Sequence, residues 1–89
     1  MATVHFTNHL QGYAPCEPVT VAGETVKEAL HAALEGNEQL RSYVFNEQGR
    51  LRRHMVVFVE GQIVADRFGL SDLLSPDAKV YVMQALSGG

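Results

Sequence analysis

The chain has one cysteine, Cys16, and that alone excludes an internal disulfide and a cysteine-built zinc site. No apolar run approaches the roughly 20 residues that a membrane-spanning helix requires, so no membrane partner is expected. The start, Met1-Ala2-Thr3-Val4-His5, lacks both a basic segment and a long apolar stretch, which argues against a secretory signal and for the cytoplasm. Basic excess is missing too: seven Lys and Arg stand against ten Asp and Glu, a formal charge of −3, and dedicated nucleic-acid binders carry the opposite balance. There is no internal repeat, low-complexity tract or linker. No Ser-His-Asp set, phosphate-cradling glycine loop or paired-carboxylate cleft stands out. What remains is 89 residues, 46% hydrophobic and 19% charged, enough for one soluble domain over 1–89 with little room for a deep internal active site.

Thr3-Val4-His5-Phe6-Thr7 alternates, predicting a half-buried strand with Val4 and Phe6 inward and His5 outward. A loop with Gly12, Pro15, Cys16 and Pro18 leads to a second strand over Val19-Thr20-Val21, closing a hairpin. Thr25 and Glu28 have capping-box spacing. Behind them Val26, Ala29, Leu30, Ala33 and Leu34 form one apolar helical stripe, which Gly36 is placed to end as a C-cap. Leu40 to Tyr43 suggests a further short helical turn, and Val44-Phe45 and Leu51 flank a turn at Asn46–Gly49. Met55–Val59 is β-branched and apolar, a central strand, and Glu60-Gly61 turns it towards Ile63-Val64. Ser71–Leu74 reads as one helical turn, and Lys79–Gln84 as the last strand. The order predicts an α+β single domain, a mixed sheet with one main helix on one face, of the β-grasp (ubiquitin-like) kind.

The chain then ends Ala85-Leu86-Ser87-Gly88-Gly89, directly after that strand. Together with Arg52-Arg53-His54-Met55-Val56-Val57-Phe58-Val59-Glu60-Gly61 and Val80–Gln84, this ending resembles the sulfur-carrier family of ubiquitin-like proteins, which includes the small subunit of molybdopterin synthase and the thiamin-pathway sulfur carrier. Its Leu-Ser-Gly-Gly departs from the commoner Ala-Val-Ala-Gly-Gly form. The resemblance implies a co-substrate rather than an enzyme, or the small subunit of a synthase. Its reactive group would be the Gly88-Gly89 end of a flexible tail from about 85 to 89. It also implies three partners: a ubiquitin-activating-type adenylyltransferase that uses ATP, a sulfur donor protein and an acceptor biosynthetic enzyme. No cofactor would be bound by the chain itself. Two alternatives stand beside the carrier: a protein modifier joined through Gly89 to target lysines, and a non-reactive β-grasp interaction module.

Alternation on the central strands puts Met55, Val57, Val59, Val80 and Val82 towards the helix. Val56, Phe58, Tyr81 and Met83 then fall on the opposite face, with His54 on their side, as a candidate partner-binding patch. Leu86 is a candidate anchor for the root of the tail. His5 and His9 are spaced as helical metal ligands, but on a strand that spacing separates them by roughly 13 Å, so no metal site is expected. Arg50, Arg52 and Arg53 form a basic cluster near a turn, and His31 lies on the helix at the edge of the core.

Overall fold

The structure is a computed structural model that describes residues 1–6 and 18–84. Among these residues seven elements follow in order: β1 (Ala2–Phe6), β2 (Val19–Val21), α1 (Val26–Ala33), α2 (Glu38–Val44), β3 (Met55–Val59), β4 (Gln62–Ile63) and β5 (Lys79–Gln84). The strands join in one sheet of order β2-β1-β5-β3-β4. β1 is antiparallel to β2 and parallel to β5, while β5 is antiparallel to β3. The last strand therefore sits in the middle of the sheet, paired on both sides. This is the β-grasp arrangement that the element order predicts.

α1 begins where its sequence says it should. Thr25 has an extended backbone, and its Oγ1 accepts the Glu28 amide at 3.2 Å. The Glu28 carboxylate reaches one residue further back than a standard capping box, taking the Glu24 amide at 3.0 Å. Val26, Ala29, Leu30 and Ala33 are buried against the sheet, where they meet Val4, Met55, Val57, Val80 and Val82. All five of those strand side chains are fully buried, so one face of the three central strands is core.

Four details differ from the sequence expectation. The C-cap of α1 is Leu34, and Gly36 lies two residues later at φ +81°, making the bend into α2. α2 is a full second helix: Asn37 Oδ1 accepts the Leu40 amide at 3.1 Å, and Leu40 and Val44 bury one side of it. β4 starts at Gln62, one residue early. Ser71–Leu74 is not helical. Instead Leu73 bridges Thr25, Asp72 C=O accepts the Val26 amide at 3.0 Å, and Leu74 N–H donates to Glu24 C=O at 2.8 Å. The segment is an extended strap along the approach to α1, and those longer-range bonds outweigh a local helical turn.

The tight turn between β3 and β4 uses Glu60 at φ 51° and Gly61 at φ 82°, the paired positive angles of a type I′ turn. Between β4 and β5 the chain is ordered by side chains. Asp72 accepts the Ala65 and Asp66 amides, each at 2.8 Å, and Asp66 accepts the Gly69 amide at 2.9 Å and the Ser71 hydroxyl at 2.6 Å. Arg67 reaches back across the molecule, donating to the carbonyls of Met55, Arg52 and Arg53 at 2.7, 2.7 and 3.0 Å. It thereby fixes the turn that launches β3.

The Asp66 carboxyl is held below its ordinary value of 3.8, first by the Ser71 hydroxyl and then by the amides of Gly69, Ser71 and Phe68. A depressed folded-state value means the unfolded chain binds the proton more readily. Its contribution is therefore present above the ordinary carboxylate range and lost as pH falls through the lower folded value. Urea unfolding across a pH series should show the wild type losing stability more steeply in this acid range than Asp66→Asn. Parallel curves would show that the loop network contributes nothing to acid sensitivity.

Candidate functional site

The antiparallel register of β3 and β5 places Val56 opposite Met83 and Phe58 opposite Tyr81. Their neighbours Met55, Val57, Val80 and Val82 are buried under the helix layer, so period-two alternation turns these four side chains to the other face. There all four are half-buried. The face extends in both directions. Ile63, paired with Phe58, is 61% exposed at the β4 edge. On the other side His5 of β1 is in parallel register with Tyr81, and the two rings stack at 4.4 Å and 10°. His5 Nε2 is buried without a hydrogen-bond partner among the described residues. An apolar row thus crosses the centre of the sheet. Val59, the fifth residue expected to point inward, is only partly buried against the core.

His54 does not join this row. It precedes β3, and its ring stands edge-on to Tyr43 of α2 at 6.4 Å. With Ser42, Tyr43, Arg52 and Gln84 it lines an open groove of about 420 Å³ at the end of the sheet. Gln84 is the last residue of β5, so the groove lies where the chain leaves the sheet towards residues 85–89. Leu86, Gly88 and Gly89 lie outside the described residues, as do His9 and Cys16.

The three arginines near the turn, read from the sequence as a solvated hairpin, each make a different contact. Arg52 Nε donates to Ser42 C=O at 2.7 Å, and the Arg50 guanidinium lies over the Phe68 ring at 5.9 Å. Arg53 offers its carbonyl to Arg67. His31 is at the core edge as expected, stacked on Phe45 at 5.2 Å. Among the described residues no group of three or more His, Cys, Asp or Glu is placed to hold a metal ion. Nor is any helix among them long and apolar enough to cross a membrane.

Sequence reasoning reached the four apolar residues but missed the His5–Tyr81 stack and the groove. Alternation gives the face of each strand. Which strands are neighbours depends on the parallel β1–β5 pairing, which no local pattern carries.

No family model and no curated protein matches the sequence. Solved structures do. Haloferax volcanii SAMP1 is 26% identical, with 99% of this chain and 98% of that one covered and a TM-score of 0.79. A chain in the Amycolatopsis orientalis BexX/CysO complex is 22% identical over 100% of both, with a TM-score of 0.82. Mycobacterium tuberculosis CysO is 17% identical over 97% of this chain and all of that one, with a TM-score of 0.79. At these lower identities the two CysO likenesses bear on the fold. The chain has the β-grasp, ubiquitin-like fold, and the structures it resembles include a small archaeal modifier protein.

Proposed function

We propose that the chain is a ubiquitin-like sulfur carrier whose Gly89 carboxylate is adenylated by a partner enzyme and then converted to a thiocarboxylate. The observation that carries this reading is the position of β5. A strand paired on both sides at the centre of the sheet runs into a few residues that end in Gly88-Gly89. The terminal carboxylate is thus tethered to the most constrained part of the domain. Residues 85–89, fully extended, span at most roughly 17 Å, enough to enter a partner's active site while the body stays outside.

The chemistry explains the glycines. A carboxylate oxygen is a poor leaving group, so the Gly89 carboxylate attacks the α-phosphorus of ATP and expels pyrophosphate. Sulfide (HS⁻) delivered by the donor then attacks the acyl carbon, AMP leaves, and loss of the proton gives the terminal thiocarboxylate. With no Cβ at 88 or 89, the tail can take backbone angles closed to other residues and leaves the acyl carbon open to approach. The half-buried row of Val56, Phe58, Tyr81 and Met83 supplies the docking surface for the activating partner, with Leu86 anchoring the tail root. Aromatic and Met side chains are enriched in such interfaces. The ATP belongs to the partner, and this chain contributes the acyl group and the surface that presents it.

A second reading is kept for one specific reason: a solved neighbour is by name a small archaeal modifier protein, 24% identical over 96% of this chain with a TM-score of 0.78. Conjugation would use the same adenylate with a target lysine as nucleophile. Lys27 and Lys79, the only lysines, offer few sites for chains built on itself. Intact-mass analysis of the protein from its native host separates the two. One oxygen exchanged for sulfur at the terminus supports the carrier. Isopeptide-linked adducts on other proteins, with no such exchange, support the modifier.

A further inference from the structure

On the helix side, away from the apolar row, α1 meets the turn after Phe45 and the loop around Gly69. Between them is a small cleft of about 180 Å³ whose wall includes Lys27, His31 and Arg50. Three basic side chains from two separate parts of the chain converge on it, and no carboxylate among the described residues lines it. That is unusual in a protein with an acidic excess and a formal charge of −3.

Two of the three are held by rings rather than by acids. His31 stacks on Phe45, itself buried, at 5.2 Å, and Arg50 sits over Phe68 at 5.9 Å. The Phe68 π face steadies the Arg50 guanidinium while leaving its N–H groups to a ligand, whereas a carboxylate partner would occupy them. Lys27 and His31 are one helical turn apart, so their side chains project from the same face of α1. Asp66, in the loop that carries Gly69, is turned into that loop, its oxygens taken by Gly69 and Ser71. Burial first, then the charges of Arg41 and Lys27, hold the His31 imidazole below its ordinary range. Phe68 stands at the rim with 75% of its surface exposed.

We propose that this cleft binds a phosphoryl oxyanion, held between Lys27, His31 and Arg50. Guanidinium and ammonium groups favour such ligands, the first through paired N–H donors and the second as a point charge. The site lies on the layer opposite the apolar row, so a ligand there leaves the sheet face free. The phosphoryl group can come from free inorganic phosphate or from a nucleotide, and the exposed Phe68 ring offers a base a place to stack.

The test is an NMR titration of the full chain with inorganic phosphate and, separately, with AMP, each against sodium chloride of equal ionic strength. Saturable shifts should be confined to the amides of residues 27–31, 48–50 and 68–70, with a dissociation constant on the order of 1 mM for phosphate. The His31 titration midpoint should rise on saturation, because an anion stabilises the imidazolium. Glu38 and Arg41 of α2 and Glu47 of the following turn line a second groove with that ring, and these are present with and without ligand. Lys27→Gln combined with Arg50→Gln, both exposed positions, should weaken binding at least tenfold while other amides keep their positions. Tighter binding of AMP with ring-current shifts at Phe68 assigns the source to a nucleotide, and equal affinity assigns it to free phosphate. Shifts that sodium chloride reproduces, or that the double variant retains, overturn the site.

Discussion

Deleting Gly89 should abolish ATP–pyrophosphate exchange by the host's activating enzyme while leaving thermal unfolding of the chain unchanged. The two halves of this outcome follow from different parts of the molecule. Among the described residues the buried core runs from Ala2 to Val82, so removing Gly89 takes away none of those contacts. The exchange reaction, by contrast, requires a carboxylate at the right distance from the sheet. Removing one residue withdraws it by roughly 3.3 Å, a displacement larger than in-line attack on a phosphorus tolerates. Gly89→Val keeps the length but adds a β-branched side chain next to the acyl carbon, and exchange should fall by two or more orders of magnitude. Exchange that persists at wild-type rate in both variants would mean that the reacting group lies elsewhere.

The second large effect is expected on the sheet. Phe58 and Tyr81 face each other across β3 and β5 at the centre of the apolar row, where truncation of a hot-spot residue costs about 2 kcal/mol or more of binding. Phe58→Ala and Tyr81→Ala should each lower kcat/KM of the activating enzyme for this chain about 30-fold, with most of the change in KM. Thr20→Ala, an exposed position on edge strand β2 of the same sheet, is the control and should have no effect. Circular dichroism and thermal unfolding of each variant separate a lost contact from a lost fold. Tyr81 needs this check most, since its truncation also removes the His5 stacking partner. Equal kinetics for all three variants would move the docking surface off this face.

Strands β1, β3 and β5 and helix α1 were legible in the sequence because each carries its own local signal. Met55–Phe58 and Lys79–Met83 alternate between core and open face, and the α1 stripe runs from a Thr cap. The elements that were misread lack such signals or lose to distant bonds. α2 is only seven residues long, and its stability comes from burying Leu40 and Val44 rather than from propensity. The Ser71–Leu74 strap takes its shape from Thr25 and Glu24, nearly fifty residues earlier in the chain, and from Asp72 turning back onto Ala65 and Asp66. Local spacing around Ser71 cannot report partners that far away.

The candidate site divides in the same way. Val56, Phe58, Tyr81 and Met83 follow from period-two alternation once β3 and β5 are recognised. His5 enters their row only through the parallel pairing of β1 with β5, a contact between chain segments 76 residues apart, as in His5 with Tyr81. The cationic cleft needed three non-adjacent segments to meet, and its residues gave conflicting hints in sequence: Arg50 belonged to a basic cluster that reads as a solvated hairpin, and His31 looked like an edge residue.

The most direct test is the mass of the intact wild-type chain after incubation with ATP and the host's activating enzyme. An adduct of one AMP, mapped to Gly89 and released by a sulfur nucleophile as a terminal thiocarboxylate, is the predicted result. An unchanged mass in the presence of an enzyme that activates its other substrates, or an adduct mapped to Lys27 or Lys79, would contradict a carrier that works through its terminal carboxylate.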